Sequence, residues 1–120
     1  MAHYVDGFVL PLPKRNLDAY RRQARKAGRI WLEHGALEFR ECVAKDVQMG
    51  EVTSFPRSVQ LKRSETVVFS WIVFKSRAHR DRVNAKAMAD PRLADMMDMK
   101  DAPFDPKRMI YGGFEVVVDV

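Results

Sequence analysis

Hydrophobic and polar positions divide this chain into four predicted strands and two main predicted helices. Residues 3–10 are rich in Tyr, Val and Phe and predict a strand. We expect Pro11 and Pro13 to stop that strand, because proline has no N–H to donate to a ladder. Behind Asn16, which can cap a helix, apolar residues recur at spacings of three and four. They predict a helix over 16–34 with one apolar stripe: Leu17, Tyr20, Ala24, Ala27 and Trp31.

The second half of the chain predicts the remaining elements. Residues 36–44 alternate as in a strand, and residues 66–74 are the strongest strand, apolar on both faces. Ser76 precedes a helix over 77–89, and Asp90-Pro91 begins a short further helix. Residues 108–118 predict the last strand, in which Gly112-Gly113 indicates a bulge or a close approach. The segment 46–64 is interpreted as a short hairpin or an extended loop.

The order strand, helix, strand, strand, helix, strand is typical of an α+β fold of the ferredoxin-like βαββαβ kind. Its two helices cover one face of a four-stranded antiparallel sheet. A length of 120 residues fits a single domain over 1–120. Both faces of the strand 66–74 are apolar, so the sheet face away from the helices also needs cover. A second copy of the chain is the simplest cover, which predicts a homodimer.

Composition narrows the class of protein. No apolar run approaches the roughly 20 residues that cross a bilayer, and the N-terminus does not resemble a signal peptide, so we expect no membrane partner and a cytoplasmic location. A single cysteine, Cys42, forms no intrachain disulfide and no zinc site of paired cysteines. We expect Cys42 to be a small buried hydrophobe, the alternative being a reactive thiol near Arg40. No pattern calls for a metal or another cofactor.

The formal net charge is +5, and its excess is local. Residues 14–29 hold seven bases against one acid, Asp18. Four of the bases project from the outer face of the first helix: Arg22, Arg25, Lys26 and Arg29. This face is the only nucleic-acid cue, and it lacks the exposed aromatic residues that usually accompany such sites. We interpret it as a solvated face and expect no specific nucleic-acid site there.

Polar residues at strand positions are the candidates for a binding site. With Leu37, Phe39, Ile110 and Phe114 assigned to the helix side, five polar residues are predicted to point between two sheets: Asp6, Glu38, Arg40, Tyr111 and Glu115. An enclosed carboxylate would have a perturbed pKa and could act as a base. The alternative is an ion-pair network at a dimer interface, or a solvated rim.

His34 lies at the edge of the apolar stripe of the first helix, just before Gly35. It is a candidate base or ligand at the mouth of a pocket. The alternative is a histidine that caps helix carbonyls.

Several motifs taken together resemble the DUF1428, or YbaA-like, family of bacterial proteins. They cover nearly the whole chain: YVDGFV at 4–9, EHGALE at 33–38, RECV at 40–43, TSFP at 53–56, VFSWIV at 68–73, SRAHRDRVN at 76–84, PFD at 103–105 and RMIYGGF at 108–114. The resemblance implies a dimeric α/β barrel, in which two ferredoxin-like sheets pack face to face. It implies no established activity and assigns no site residues.

We therefore predict a homodimeric barrel that binds a small organic molecule between its sheets. A cofactor-free, monooxygenase-like enzyme is the first alternative; it requires one of the candidate acids or His34 beside a bound substrate. Nucleic-acid or protein binding through the basic face of the first helix is the second. The sequence leaves open whether the chain is an enzyme.

Overall fold

The protein is described by a computed structural model that covers residues 3–96 and 102–120. Its elements follow the predicted order, with one short helix added between the second and third strands. In chain order they are β1 (Tyr4–Pro13), α1 (Leu17–Glu33), β2 (Glu38–Val43), α2 (Phe55–Ser58), β3 (Glu65–Phe74), α3 (Arg77–Met88), α4 (Pro91–Met96) and β4 (Ile110–Glu115).

The four strands form one antiparallel sheet in the order β2-β3-β1-β4. Helices α1 and α3 pack on one side of this sheet, which we call the helix-covered face. The opposite side, the open face, carries no long helix. The α+β class and the ferredoxin-like arrangement of four strands and two main helices are confirmed.

Strand β1 runs through both prolines, so the prediction that they stop it is wrong. The Lys14 N–H donates to the Ser64 carbonyl, which places the N–H groups of even-numbered β1 residues toward β3. The N–H groups of odd-numbered β1 residues therefore point to the other edge of the strand, where β4 pairs only as far as Val9. Pro11 and Pro13 lie beyond that point, and no ladder bond needs the N–H that they lack.

The segment 46–64 contains helix α2 rather than a hairpin. The Ser54 side chain accepts the Arg57 N–H at 3.1 Å, which begins the helix. Phe55 lies edge-on to Phe69 of β3, with ring centroids 5.7 Å apart. Helix α2 thus lies at one end of the open face.

The hydrophobic core fills the helix-covered face. The predicted stripe of α1 is confirmed, since Tyr20 and Ala24 are buried and Trp31 packs against the core. Gly28 belongs to the same stripe, because a Cβ there would lie 2.7 Å from the Phe39 ring. The fully buried side chains include Leu10, Leu12, Phe74 and Val83. Within residues 3–96 and 102–120, no helix has the length and apolar character needed to cross a bilayer.

Candidate functional site

Side chains on the open face stand in rows that cross all four strands. The pairing registers align four positions in each row, one from each strand in the order β2, β3, β1, β4. The upper row is Glu38, Val73, Val5 and Phe114; the middle row is Arg40, Trp71, Gly7 and Gly112; the lower row is Cys42, Phe69, Val9 and Ile110.

The open face is mostly apolar and largely uncovered. Phe69 is 42% exposed, Ile110 46% and Phe114 64%. Trp71 lies half-buried on this face beside Phe69. An apolar surface of this kind on a folded chain marks a site of interaction.

Glu38 and Arg40 lie on the open face, as predicted, and they contact each other. Arg40 Nη2 is 3.3 Å from Glu38 Oε1, and the Trp71 indole N–H donates to Glu38 Oε2 at 2.9 Å. The Arg40 guanidinium also donates to the Phe39 carbonyl on the free edge of β2. Both charges are thus partly satisfied within one chain. Their part in ligand binding stays a prediction.

Asp6 does not point into the open face, and this prediction is corrected. It is buried on the helix-covered face, where it accepts a hydrogen bond from Asn84 of α3 at 3.2 Å. Arg80 of the same helix lies 3.5 Å away. Burial raises the pKa of Asp6, while Asn84 and Arg80 act in the opposite direction. Asn84 also accepts the Trp31 indole N–H, so Asp6 belongs to a polar network inside the fold.

Tyr111 and Glu115 also lie on the other face from the one predicted. Register pairs them with Phe8 and Tyr4, whose side chains face the helices. Tyr111 stacks on Phe8 with ring centroids 6.3 Å apart. The prediction failed because it assigned the apolar side of β4 to the helices, whereas Phe114 lies on the open face.

His34 is placed away from the open face. It follows the last residue of α1, and its ring Nε2 lies 2.9 Å from Asp90 Oδ2 at the start of α4. The ring contacts this carboxylate rather than helix carbonyls or a pocket between sheets. Hydrogen bonds from Arg92 and His34 hold the pKa of Asp90 well below its usual range. The contact therefore joins the end of α1 to the start of α4.

A groove at the α2 end of the open face was missed from the sequence. Its volume is about 310 Å³, and Cys42, Phe55, Val67 and Phe69 line much of it. The remaining lining residues are Val43, Ala44, Lys45, Asp46 and Val47. Cys42 is exposed, so its predicted burial is wrong for the single chain. The alternation of 36–44 already set Cys42 opposite Phe39, but nothing in the sequence showed Phe55 folding over β3.

Glu41 is a second group that sequence reasoning passed over. Its carboxylate accepts the Tyr20 hydroxyl at 2.7 Å between β2 and α1. Burial raises the pKa of Glu41, opposed by hydrogen bonds from Tyr20 and Ser70. Glu41 has the same strand parity as Phe39, and this signal could have placed it on the helix-covered face.

The basic face of α1 is exposed, as predicted. Arg22, Arg25, Lys26 and Arg29 all face solvent. Among the residues that the structure describes, the seven bases of 14–29 make one contact with an acid, Arg21 with Asp18 at 3.6 Å. An arginine and an aspartate in solvent at this distance form a weak pair.

Comparisons with known proteins place the chain in a family. The family described as "Protein of unknown function (DUF1428)" matches residues 3–106. The protein named "Uncharacterized protein YbaA" from Escherichia coli strain K12 is 49% identical over 116 residues, which is 97% of each chain, and that from Shigella flexneri matches equally well. Among solved structures, a dimeric ferredoxin-like protein from an uncultured marine organism superimposes with a TM-score of 0.57 at 12% identity, over the full length of both chains. The ferredoxin-like fold and the sequence match agree, and the chain belongs to the DUF1428 family.

Proposed function

We propose that this protein is a homodimer in which two open faces pack into a barrel, and that it holds a small organic molecule between the sheets. The observation that carries the proposal is the set of exposed apolar side chains on the open face, above all Phe69, Ile110 and Phe114. Fully burying one such side chain stabilises an assembly by roughly 1.5–3 kcal/mol. Because these side chains are already partly covered, each contributes less than that.

The dimensions of the open face support a second copy as its cover. Four strands at a spacing of about 4.8 Å give a width of about 19 Å, and six paired residues give a length of about 20 Å. The resulting plane of roughly 400 Å² grows once side-chain relief and helix α2 are included. The roughly 400 Å² is therefore a lower bound, against approximately 800 Å² per partner in a standard interface. The solved neighbour of the same fold is itself described as dimeric.

The groove beside α2 is the proposed position of the ligand. Its 310 Å³ falls at the lower end of the range for small-molecule sites. The walls are mainly apolar, and Lys45 and Asp46 supply charged groups at one side. This lining favours a compact apolar molecule with a single polar substituent. Glu38 and Arg40, which lie in the rows beyond the groove, are assigned to the interface that closes it.

The two alternatives have weaker support. A monooxygenase-like reaction would use a base beside the ligand. Among the residues that the structure describes, the two carboxyl groups whose pKa is raised, Asp6 and Glu41, lie on the helix-covered face. The basic face of α1 lies on the side of the sheet away from the proposed interface. It remains accessible in the dimer, but no exposed aromatic residue accompanies Arg22 or Arg25 on the helix. We therefore propose neither catalysis nor nucleic-acid binding.

Light scattering at micromolar concentration tests the dimer. The expected mass is twice the 13.9 kDa of one chain. Phe69→Glu should give a folded monomer, because it places a charge in the interface. Leu32→Glu is the matched control, since Leu32 has a similar exposure, 47% against 42%, but lies on α1. A wild-type mass of 13.9 kDa would contradict the proposal.

Fluorescence of 1-anilinonaphthalene-8-sulfonate tests the groove. The wild-type dimer should bind one dye per chain, and Ala44→Leu should abolish binding by filling the groove. Ala94→Leu, an equal change on the exposed surface of α4, should leave binding intact. Absence of binding to the wild type, or equal binding by Ala44→Leu, would remove the ligand from the proposal while leaving the dimer.

A further inference from the structure

In the middle row of the open face, two strands carry large side chains and the other two carry glycines. Arg40 and Trp71 stand on β2 and β3, and Gly7 and Gly112 continue the same row on β1 and β4. The single chain thus presents two projections beside two recesses at the centre of its apolar face.

Neither glycine of this row is required by the single chain. A Cβ on Gly7 would come no closer than 3.8 Å to Phe114, and one on Gly112 no closer than 3.7 Å, which is ordinary van der Waals contact. Their backbones also stay out of the left-handed region. Gly113, on the other face, differs: a Cβ there would lie 2.7 Å from Tyr4 Cε2. The fold explains Gly113, whereas a Cβ would fit at Gly7 and at Gly112, where the Phe114 ring borders the recess on one side.

In a symmetric dimer, the direction of the two-fold axis determines which side chains of the partner meet these glycines. A two-fold axis parallel to the strands, between β1 and β3, sets β3 over the partner's β1 and β2 over the partner's β4. The middle rows then meet with each projection above a recess. An axis across the strands, at the level of the middle row, would instead oppose each strand to itself. It would set indole against indole and one Arg40 guanidinium against the other, with bulk and like charge in contact.

We infer that the two copies pack about an axis parallel to their strands, with Trp71 of each copy seated on the partner's Gly7 and Arg40 over the partner's Gly112. This inference rests on the proposed dimer and specifies its geometry. In the upper row Val73 then faces the partner's Val5 and Glu38 faces the partner's Phe114. In the lower row Phe69 faces the partner's Val9 and Cys42 faces the partner's Ile110. Packed sheets are rotated by about 30° relative to each other, and the resulting displacement grows with distance from the axis. Trp71 on the central strand β3 is therefore better aligned with the partner's Gly7 than Arg40 on the edge strand β2 is with the partner's Gly112.

The hydrogen bond from Trp71 prepares the indole for this role. Its N–H already donates to Glu38 at 2.9 Å, so the ring can enter an apolar interface without an unsatisfied donor. Glu38 is held in turn by Arg40. Glu38 and Arg40 therefore hold the Trp71 indole in one orientation, and the partner's glycine backbone provides a flat surface for the ring.

A pair of complementary variants tests the contact. Gly7→Leu should raise the dimer dissociation constant about 100-fold, because two new side chains meet two indoles. Trp71→Ala should raise it about 10-fold or more by leaving two voids. In an equimolar mixture, a Gly7→Leu chain and a Trp71→Ala chain should form a heterodimer in preference to either homodimer. That heterodimer keeps one native contact and places the new leucine above the new alanine.

Native mass spectrometry of the mixture distinguishes the outcomes. If Phe69→Glu separates the chains but Gly7→Leu does not, and the mixture is statistical, the dimer stands and the proposed axis is overturned. If the wild type is monomeric, the dimer itself is wrong. Should Gly7→Leu fail to fold, isotope-filtered NMR on a wild-type dimer of labelled and unlabelled chains gives the same answer. Intermolecular NOEs from the Trp71 indole to Gly7 Hα are expected, and their absence alongside intermolecular NOEs from Phe69 would refute the inference.

Discussion

The Arg108 guanidinium holds Glu65 through both carboxylate oxygens, with Nη1 2.5 Å from Oε2 and Nη2 3.0 Å from Oε1. Nη2 also donates to the carbonyls of Val59 and Gln60. The Glu65 carboxylate further accepts the Lys62 N–H at 2.7 Å. One buried carboxylate therefore joins the start of β3, the turn after α2 and the approach to β4.

Removing this guanidinium should lower the thermal stability clearly. Arg108→Gln leaves the carboxylate of Glu65 without its cation and frees two backbone carbonyls. Arg92 is the control, because it contacts Glu33 and Asp90 in a more exposed position. We expect the fall in melting temperature for Arg108→Gln to be at least about twice that for Arg92→Gln. Equal falls in calorimetry would show that the Glu65 contact is no stronger than a surface pair.

The contact between Arg108 and Glu65 also predicts how the stability of the protein falls at acid pH. The hydrogen bond from Arg108 holds the pKa of Glu65 below its ordinary value of 4.5. A carboxyl group with a lowered pKa stabilises the fold above its unfolded value, and that contribution is lost as the pH falls through the folded value. Glu65→Gln should therefore flatten the loss of stability below about pH 4.5. Urea midpoints from neutral pH down into this acid range measure it, and parallel curves for both proteins would contradict it.

Glu41 should show the opposite pH dependence. Burial raises its pKa, so the folded state binds the proton more tightly than the unfolded state, and this group adds stability as the pH falls through the folded pKa. Glu41→Gln should be neutral or stabilising by up to about 1 kcal/mol at neutral pH. Tyr20→Phe removes the hydroxyl that Glu41 accepts and should destabilise by about 1–3 kcal/mol. Denaturant unfolding that shows a large loss for Glu41→Gln would mean that its charge is needed.

Gly28→Ala should destabilise the protein although alanine favours helices by about 1 kcal/mol. The new Cβ would lie 2.7 Å from the ring of Phe39, which packs under α1. We expect a net loss of about 1–3 kcal/mol, which is the usual cost of overpacking. Adding Phe39→Leu should recover part of this loss relative to Phe39→Leu alone. A Gly28→Ala protein more stable than the wild type would show that the ring can move aside.

Arg40→Met should matter to the assembly rather than to the fold of one chain. In the single chain the side chains of Arg40 and Glu38 are 58% and 40% exposed, so the pair contributes at most about 1 kcal/mol. Enclosed between two sheets, the carboxylate left behind would cost on the order of 3–5 kcal/mol. The variant is compared in the wild-type dimer and in the Phe69→Glu background. The same change in unfolding free energy in both would place Arg40 outside the interface.

The hydrophobic pattern predicted the main strands and helices. The alternation of side chains along β2, which is clear around Phe39, predicted the face on which Glu38 and Arg40 lie. It failed for β4, where Ile110 and Phe114 are apolar and yet face away from the helices. When both faces of a sheet are apolar, the alternation of side chains cannot show which face the helices cover. Asp6 was misplaced for a related reason: Asn84 and Arg80 reach it from α3, far along the chain. Contacts of that separation leave no local signal.

The prolines of β1 have a consequence for how the protein avoids aggregation. Beyond Val9 no described residue continues the ladder on the edge of β1 toward β4, and an unpaired edge is a template on which another chain can add a strand. Along that stretch the positions that face this edge are Pro11, which is fully buried, and Pro13, so the part of the edge that solvent reaches offers no N–H donor. A strand approaching from a misfolded or neighbouring molecule would find half of its hydrogen bonds missing. Strand β1 can therefore extend past its neighbour without seeding intermolecular β-structure.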